Sequence, residues 1–297
     1  MGRDLFDSSE SAKRVFEEAD AVLGERLSSL CFDGPEEELR LTANTQPAIL
    51  TVSIAALRAL EERVPHPDFV AGHSLGEYSA LVAAGSVRFA SALKLVRSRG
   101  RFMQEAVPAG EGAMAAVMGC SADTVGEICR EASSRGVCSP ANINTPAQIV
   151  IAGNREAVEY AVDLSRERGA RKTVMLSVSA PFHCELMRPA ADRLAPLLAE
   201  TEFSELGPPL VTNCEARIIG KPDDARAALV KQVASAVRWS DSVKRLLEEG
   251  VTHFIEVGPG KVLTGLVKQI ARDCKVECKL LNVEDSASVE AAAATFS

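Results

Sequence analysis

Apolar and polar positions follow two periods along this chain, and the clearest stretch lies between residues 113 and 178. An apolar run at 113–118 is followed by Ser121 as an N-cap and a helical pattern to about residue 134. Residues 137–143, an Asn-Thr-Pro turn at 144–146 and a second apolar run at 148–152 then read as a strand pair. Asn154 caps an amphipathic helix ending near Gly169, and residues 171–178 close as a strand. The order is β-α-β-β-α-β, the ferredoxin-like arrangement of a small subdomain. On either side, helices are predicted near 10–22, 46–63, 75–84, 90–106, 184–200, 223–236, 240–249 and 261–272. Short apolar strands are predicted near 68–71, 209–212, 252–257 and 279–282. Helices alternating with such strands predict a parallel sheet covered on both faces. The expected organisation is a large α/β domain over 1–110 and 181–297, interrupted by a small subdomain at 111–180.

One junction in that pattern carries chemistry. Gly72-His73-Ser74-Leu75-Gly76 sits where the strand ending at Ala71 meets the helix that begins near Glu77. A Gly-x-Ser-x-Gly sequence between strand and helix is a nucleophile elbow, as on α/β-hydrolase-like sheets. Its glycines permit a sharp turn that lifts the Ser74 hydroxyl clear of the sheet, and the Leu75 N–H then points to where an oxyanion would form. Acyl transfer through serine is the chemistry this implies.

Composition narrows the setting. With 297 residues, 46% hydrophobic and 25% charged, the chain can bury a large core. The apolar tract at 48–60 is broken by Thr51, Ser53 and Arg58, so a membrane span is not expected, and the first residues lack the apolar segment of a signal peptide. The eight cysteines show neither zinc spacing nor a disulfide framework, which suits free thiols in a reducing cytoplasm. No metal site is expected. A net charge of −8 argues against nucleic acid as a partner, so an anionic ligand needs a local cation.

A serine nucleophile needs a base, and the chain has four histidines. His73 adjoins Ser74, and neighbouring side chains in a tight turn diverge. His66 lies between two prolines, and His253 sits within a predicted strand. His183 falls where the insertion returns to the large domain, the seam at which a site is expected, and is favoured over a structural role. Along the helix at 91–104, Lys94, Arg97, Ser98 and Arg101 share a polar face, whereas Arg99 falls among Leu95, Phe102, Ala92, Met103 and Val96 on the face meant for the core. A guanidinium there needs a fixed partner: either a buried salt bridge or the carboxylate of a substrate.

These residues together resemble the malonyl-CoA:acyl carrier protein transacylases and their polyketide-synthase acyltransferase relatives. The matches are Thr45-Gln46-Pro47-Ala48, the elbow and its helix to Leu81, Arg99-Gly100, Met103-Gln104, residues 109–114, Asn142-Ile143-Asn144-Thr145-Pro146, the His183 segment, and residues 256–263. The resemblance implies a dyad of Ser74 and His183, with Arg99 holding a malonyl carboxylate. A backbone carbonyl, expected near Arg238, would orient the histidine in place of a triad acid. It also puts Gln46, His73 and Asn142 in the substrate pocket, and Phe182 where a bulky ring leaves little room for an α-methyl branch. The partners implied are malonyl-CoA and acyl carrier protein, with no cofactor, since coenzyme A arrives as part of the substrate. Arg166, Arg168, Arg171 and Lys172 are candidates for a basic docking patch.

The chain also departs from that family, whose members begin with a strand and a Gly-Gln-Gly-Ser-Gln turn ahead of the Met-Gly-Arg-Asp-Leu-Phe segment. The second oxyanion donor, expected from that turn's glutamine, lies in the part that precedes Met1, so Met1 is expected to be an internal methionine of a longer protein. Two rival functions follow: a serine esterase or thioesterase on an α/β-hydrolase sheet, and an inactive truncated homologue.

Overall fold

The computed structural model describes residues 1–296, a mixed α/β fold. The N-terminal third is helical: α1 (Arg3–Ser8), α2 (Glu10–Leu23), α3 (Leu27–Asp33), α4 (Glu36–Leu39) and α5 (Thr42–Leu60). Strand β1 (Val70–Ala71) leads into α6 (Gly76–Ala83) and α7 (Phe89–Glu105). The middle of the chain follows the order expected from the sequence: β2 (Gly112–Met118), α8 (Ala122–Ala132), β3 (Cys138–Thr145), β4 (Gln148–Asn154), α9 (Arg155–Glu167) and β5 (Lys172–Met175). The remainder comprises α10 (Arg188–Glu200), β6 (Leu210–Val211), β7 (Ile218–Ile219), α11 (Pro222–Val233), α12 (Trp239–Glu248), β8 (His253–Val257), α13 (Val262–Cys274), β9 (Lys279–Val283) and α14 (Ser286–Phe296).

The middle strands form an antiparallel sheet in the order β3-β4-β2-β5. Because side chains alternate along a strand, β2 sends Ala113, Ala115 and Val117 to one face and Met114 and Ala116 to the other. The first face packs on α8 and α9, and Ser121 caps α8 by accepting from the Thr124 N–H. The second face packs on Cys184 and Phe182, so the sheet supports the very segment that carries His183. At the opposite edge, β3 is tied to the strand-like segment around Val237: the Val237 N–H donates to the Ala141 carbonyl and the Ile143 N–H to the Val237 carbonyl, each at 2.8 Å.

The single parallel sheet expected elsewhere is found in two pieces. β1 pairs with β6 in parallel, β7 closes that sheet antiparallel, and β8 pairs with β9 in a separate parallel ladder. Both pieces nonetheless belong to one layer. Val70, Ile255, Val257 and Leu281 face the main core, while Ala71, Phe254 and Leu280 face the cluster built by α12 and α13. The pieces stay distinct because no hydrogen-bonded ladder joins β1 to β8 among the described residues.

Within the main core, α5 and α7 cross at unusually short range. A Cβ added to Gly100 would stand 2.6 Å from the Thr42 carbonyl oxygen and 2.8 Å from the Ala43 Cα, both backbone atoms that cannot swing aside. This approach brings Gln46 on α5 against Arg99 on α7. Gly100→Ala is expected to force the helices apart and to lower stability by about 1–3 kcal/mol. Urea unfolding would read this as a lower midpoint, and an unchanged midpoint would show that the two helices have slack.

Candidate active site

Ser74 and His183 meet at the seam. Ser74 holds a φ of 52° and His183 one of 61°, the left-handed region that non-glycine residues seldom occupy. Two close approaches hold the turn at Ser74. A Cβ on Gly72 would lie 1.9 Å from the Gly76 carbonyl oxygen, so strand and helix cross where only glycine fits. Gly76 itself faces open space, and its place in the motif is not demanded by sterics. From the end of β6, Asn213 clasps the turn: its Oδ1 accepts from the Ser74 N–H at 2.6 Å and its Nδ2 donates to the Gly72 carbonyl at 2.6 Å.

The Ser74 Oγ lies 2.7 Å from His183 Nε2. On the other side of the ring, Nδ1 stands 3.0 Å from the Gln232 carbonyl oxygen, which can only accept. Nδ1 therefore carries the proton, and Nε2 is left as the acceptor for the serine hydroxyl. The third position is thus taken by a backbone carbonyl rather than a carboxylate. The orienting carbonyl expected near Arg238 belongs instead to Gln232, and the Arg238 carbonyl accepts from the Ser242 N–H within α12. Gln232 serves instead because it lies in the last turn of α11, where its carbonyl has no partner four residues on; it accepts only from residues just past the helix end, the Ser235 N–H at 3.4 Å among them, and keeps a lone pair for the imidazole.

Arg99 is 1% exposed, and among the described residues no acid forms an ion pair with it. Its Nη1 donates to Gln46 Oε1 at 2.6 Å, and its Nη2 donates to Gln232 Oε1 at 2.8 Å and to Ser74 Oγ at 3.1 Å. The Gln46 amide is oriented by its Nε2, which donates to Thr42 Oγ1 at 3.1 Å. The buried Nε–H of Arg99 has no partner among the described residues, and the Tyr78 ring lies 5.7 Å from Cζ. Of the two readings left open for this arginine, the buried salt bridge is therefore not what the structure contains.

Comparison with known proteins bears on this arrangement. The family model described as acyl transferase domain matches residues 1–292. The chain belongs to the acyl transferase family. It is 47% identical to the malonyl CoA-acyl carrier protein transacylase of Bacillus subtilis (strain 168), over 100% of this chain and 92% of that one. An acyl carrier protein S-malonyltransferase from Vibrio cholerae superposes with a TM-score of 0.95 at 45% identity, covering 98% of this chain and 94% of the other. The malonyl-transacylase solved in complex with a type II polyketide-synthase acyl carrier protein also gives 0.95, at 43% identity, over 99% and 94% of the two chains.

Not every expected residue of this acyltransferase touches the dyad. Gln46 does so through Arg99. Phe182 packs against both the main core and the small sheet, at the seam beside His183. His73 turns away from Ser74, as expected for its neighbour, and its Nε2 pairs with Asn144 Oδ1 at 2.9 Å while the ring leans on Trp239. Asn142 is buried in β3 opposite Val237 and makes no hydrogen bond to Ser74, His183 or Arg99; Asn144, two residues along the strand, is the one that reaches the elbow. The hydrogen bonds of the turn run from the N–H groups of Gly76, Glu77 and Tyr78, and the Leu75 N–H takes no part in them. Of the basic candidates, Arg166 pairs with Asp163 and Arg168 with Glu131. No helix is long and apolar enough to cross a membrane, and no group of three or more metal-ligating side chains occurs among the described residues.

Three site residues were not anticipated: Gln232, Asn213 and Glu77. Gln232 joins nearly everything, since its Nε2 also donates to the Ser74 carbonyl at 2.8 Å and to Glu77 Oε2 at 2.6 Å. The available signal was a glutamine on the apolar face of α11, in register with Ala225, Ala228, Leu229 and Val233.

Electrostatics favour a neutral imidazole. Burial, and then the charge on Arg99, push His183 down to about 3. The base form thus persists through neutral and mildly acid pH. Removing the cation in Arg99→Met is expected to move the His183 titration upward, read by histidine-selective NMR. An identical titration in both proteins would show that the arginine does not act on the imidazole.

Proposed function

We propose that this acyltransferase moves a malonyl group from malonyl-CoA to the phosphopantetheine thiol of an acyl carrier protein, by way of a malonyl ester on Ser74. The observation that carries this reading is a buried guanidinium beside the nucleophile whose hydrogen-bond acceptors are all neutral oxygens. Such a charge is expensive to bury, and a substrate that brings its own carboxylate repays the cost. A simple esterase gains nothing from it. The names of the relatives, transacylases of malonyl-CoA and acyl carrier protein, support the same substrate pair.

In the first half-reaction the Ser74 Oγ attacks the thioester carbonyl while its proton passes to His183 Nε2, and the Gln232 carbonyl steadies the resulting imidazolium through Nδ1–H. The tetrahedral oxyanion accepts from the Leu75 N–H. Collapse expels the coenzyme A sulfur, which takes the proton from His183, and a malonyl-serine ester remains. In the second half the carrier thiol gives its proton to His183 as it attacks the ester, and Ser74 recovers a proton on leaving. Thioester and ester are close in energy, so the exchange calls for no metal or redox cofactor.

Arg99 has a second effect. It suppresses the basicity of His183 while the site is empty, and a malonyl carboxylate seated on the guanidinium cancels part of that effect. The base is therefore strengthened by the substrate with the right charge. Phe182, wedged between two cores, supports a pocket wall that resists α-branched acyl groups. The antiparallel order β3-β4-β2-β5 and its separate core support a ferredoxin-like subdomain at 111–180. The rest of the chain, 1–110 and 181–297, forms an α/β-hydrolase-like domain. Eight free cysteines suit work in the cytoplasm.

Mixing the protein with malonyl-CoA is expected to add a malonyl group to Ser74, seen by mass spectrometry of the active-site peptide, and to pass it on when carrier protein is added. Free malonate released without transfer would contradict the proposal. Arg99→Ala should lower malonyl transfer by roughly 100-fold or more and acetyl transfer far less. Equal losses for both acyl groups would remove the carboxylate from the arginine's role.

A further inference from the structure

One buried acid in this site has no part in the mechanism above. Glu77 lies in the first turn of α6, three residues after Ser74, and is 0% exposed. Its Oε2 accepts from Gln232 Nε2 at 2.6 Å and its Oε1 from the Asn213 N–H at 3.3 Å. No arginine, lysine or histidine pairs with it among the described residues. The same Gln232 amide accepts from Arg99 through its Oε1 at 2.8 Å. Cation and anion are thus separated by a single oriented amide, its oxygen toward the charge that donates and its nitrogen toward the charge that accepts.

We propose that Glu77 is the resident counter-anion of Arg99, and that it takes up a proton from solvent when a substrate carboxylate docks on that arginine. The inference rests on Arg99 being the carboxylate clamp. One cation cannot neutralise two nearby anions in a buried site, so the arriving carboxylate displaces the charge that can be protonated. A second anion on the far side of Arg99 favours the protonated form of Glu77 by on the order of tenfold. Glu77 is suited to the exchange because burial, against the hydrogen bonds from Gln232 and Asn213, pushes it up to about 7.

The other titratable groups around it stay silent near neutrality. Arg99 on α7 remains a cation. Tyr78 on α6 is driven upward by burial, Cys214 after β6 is pushed up to about 11, and His183 beside Arg99 is held at about 3. Arg58, the charged residue of α5, is engaged at the surface with Glu61.

The test measures binding without turnover. Ser74→Ala protein is titrated calorimetrically with malonyl-CoA and with acetyl-CoA near pH 7, in buffers of different ionisation enthalpy, so that protons exchanged can be counted. Malonyl-CoA is expected to take up about half a proton more than acetyl-CoA. The excess should vanish in Ser74→Ala/Glu77→Gln. An equal proton count for both ligands, or an excess that survives in the double variant, would overturn the proposal. Should the double variant not fold, the pH dependence of the single variant decides. Affinity for malonyl-CoA relative to acetyl-CoA should weaken roughly tenfold from pH 6 to 9, and a flat ratio would overturn the inference. The clamp reading fails in a distinguishable way: malonyl-CoA would then bind no more tightly than acetyl-CoA at any pH, and the inference would fall with it.

Discussion

A positive charge buried with no carboxylate in direct contact is the constraint to which the rest of this site answers. Removing a guanidinium from water costs several kcal/mol unless its donors are met. Here the two Nη groups are met by the amide oxygens of Gln46 and Gln232 and by the Ser74 hydroxyl, while Nε–H has no partner among the described residues. Neutral acceptors take its hydrogen bonds, and the nearest anion, Glu77, stands one amide away on the far side of Gln232. A salt bridge would have been the simpler solution for stability, and it would have used up the attraction that a charged substrate needs.

Several features of the fold follow from holding that arrangement. Gly100 lets α5 approach α7, so Gln46 arrives at the right height. The end of α11 places a glutamine whose side chain meets Arg99 and Glu77 and whose backbone meets His183. Asn213 and Gly72 fix the elbow, and the small sheet backs the segment 182–186 from the other side. Both Ser74 and His183 sit in left-handed backbone, so each half of the dyad is held by its surroundings rather than by local preference.

Much of this was legible in the residue pattern, for physical reasons that differ from element to element. The middle unit could be read because its strands alternate and Ser121 marks a helix start, and α2, α6, α7, α10 and α13 fell within a few residues of expectation. Short helices such as α1, α3 and α4 were missed, since one or two turns carry too few apolar positions to show a period, and the small-residue helix α14 shows little contrast between its faces. The sheet was expected whole and is split, because a run of apolar residues says nothing about which neighbour it pairs with. Arg99 stood out as a charge on the wrong face of its helix. The carbonyl that orients His183 did not, because backbone direction at a helix end leaves no mark on side-chain pattern, and Arg238 was named where Gln232 serves. Glu77 leaves no distinct mark in the pattern, because an acid in the first turn of a helix looks like ordinary dipole compensation.

The central claim is that the guanidinium of residue 99 grips the free carboxylate of the acyl donor while the thioester carbonyl lies over position 74. A crystal structure of the Ser74→Ala protein with malonyl-CoA tests this most directly. Both carboxylate oxygens are expected within hydrogen-bond distance of Arg99, with the thioester carbonyl oxygen pointing at the Leu75 N–H. A carboxylate turned to solvent or bound to any other side chain, with Arg99 still facing only its glutamines, would contradict it.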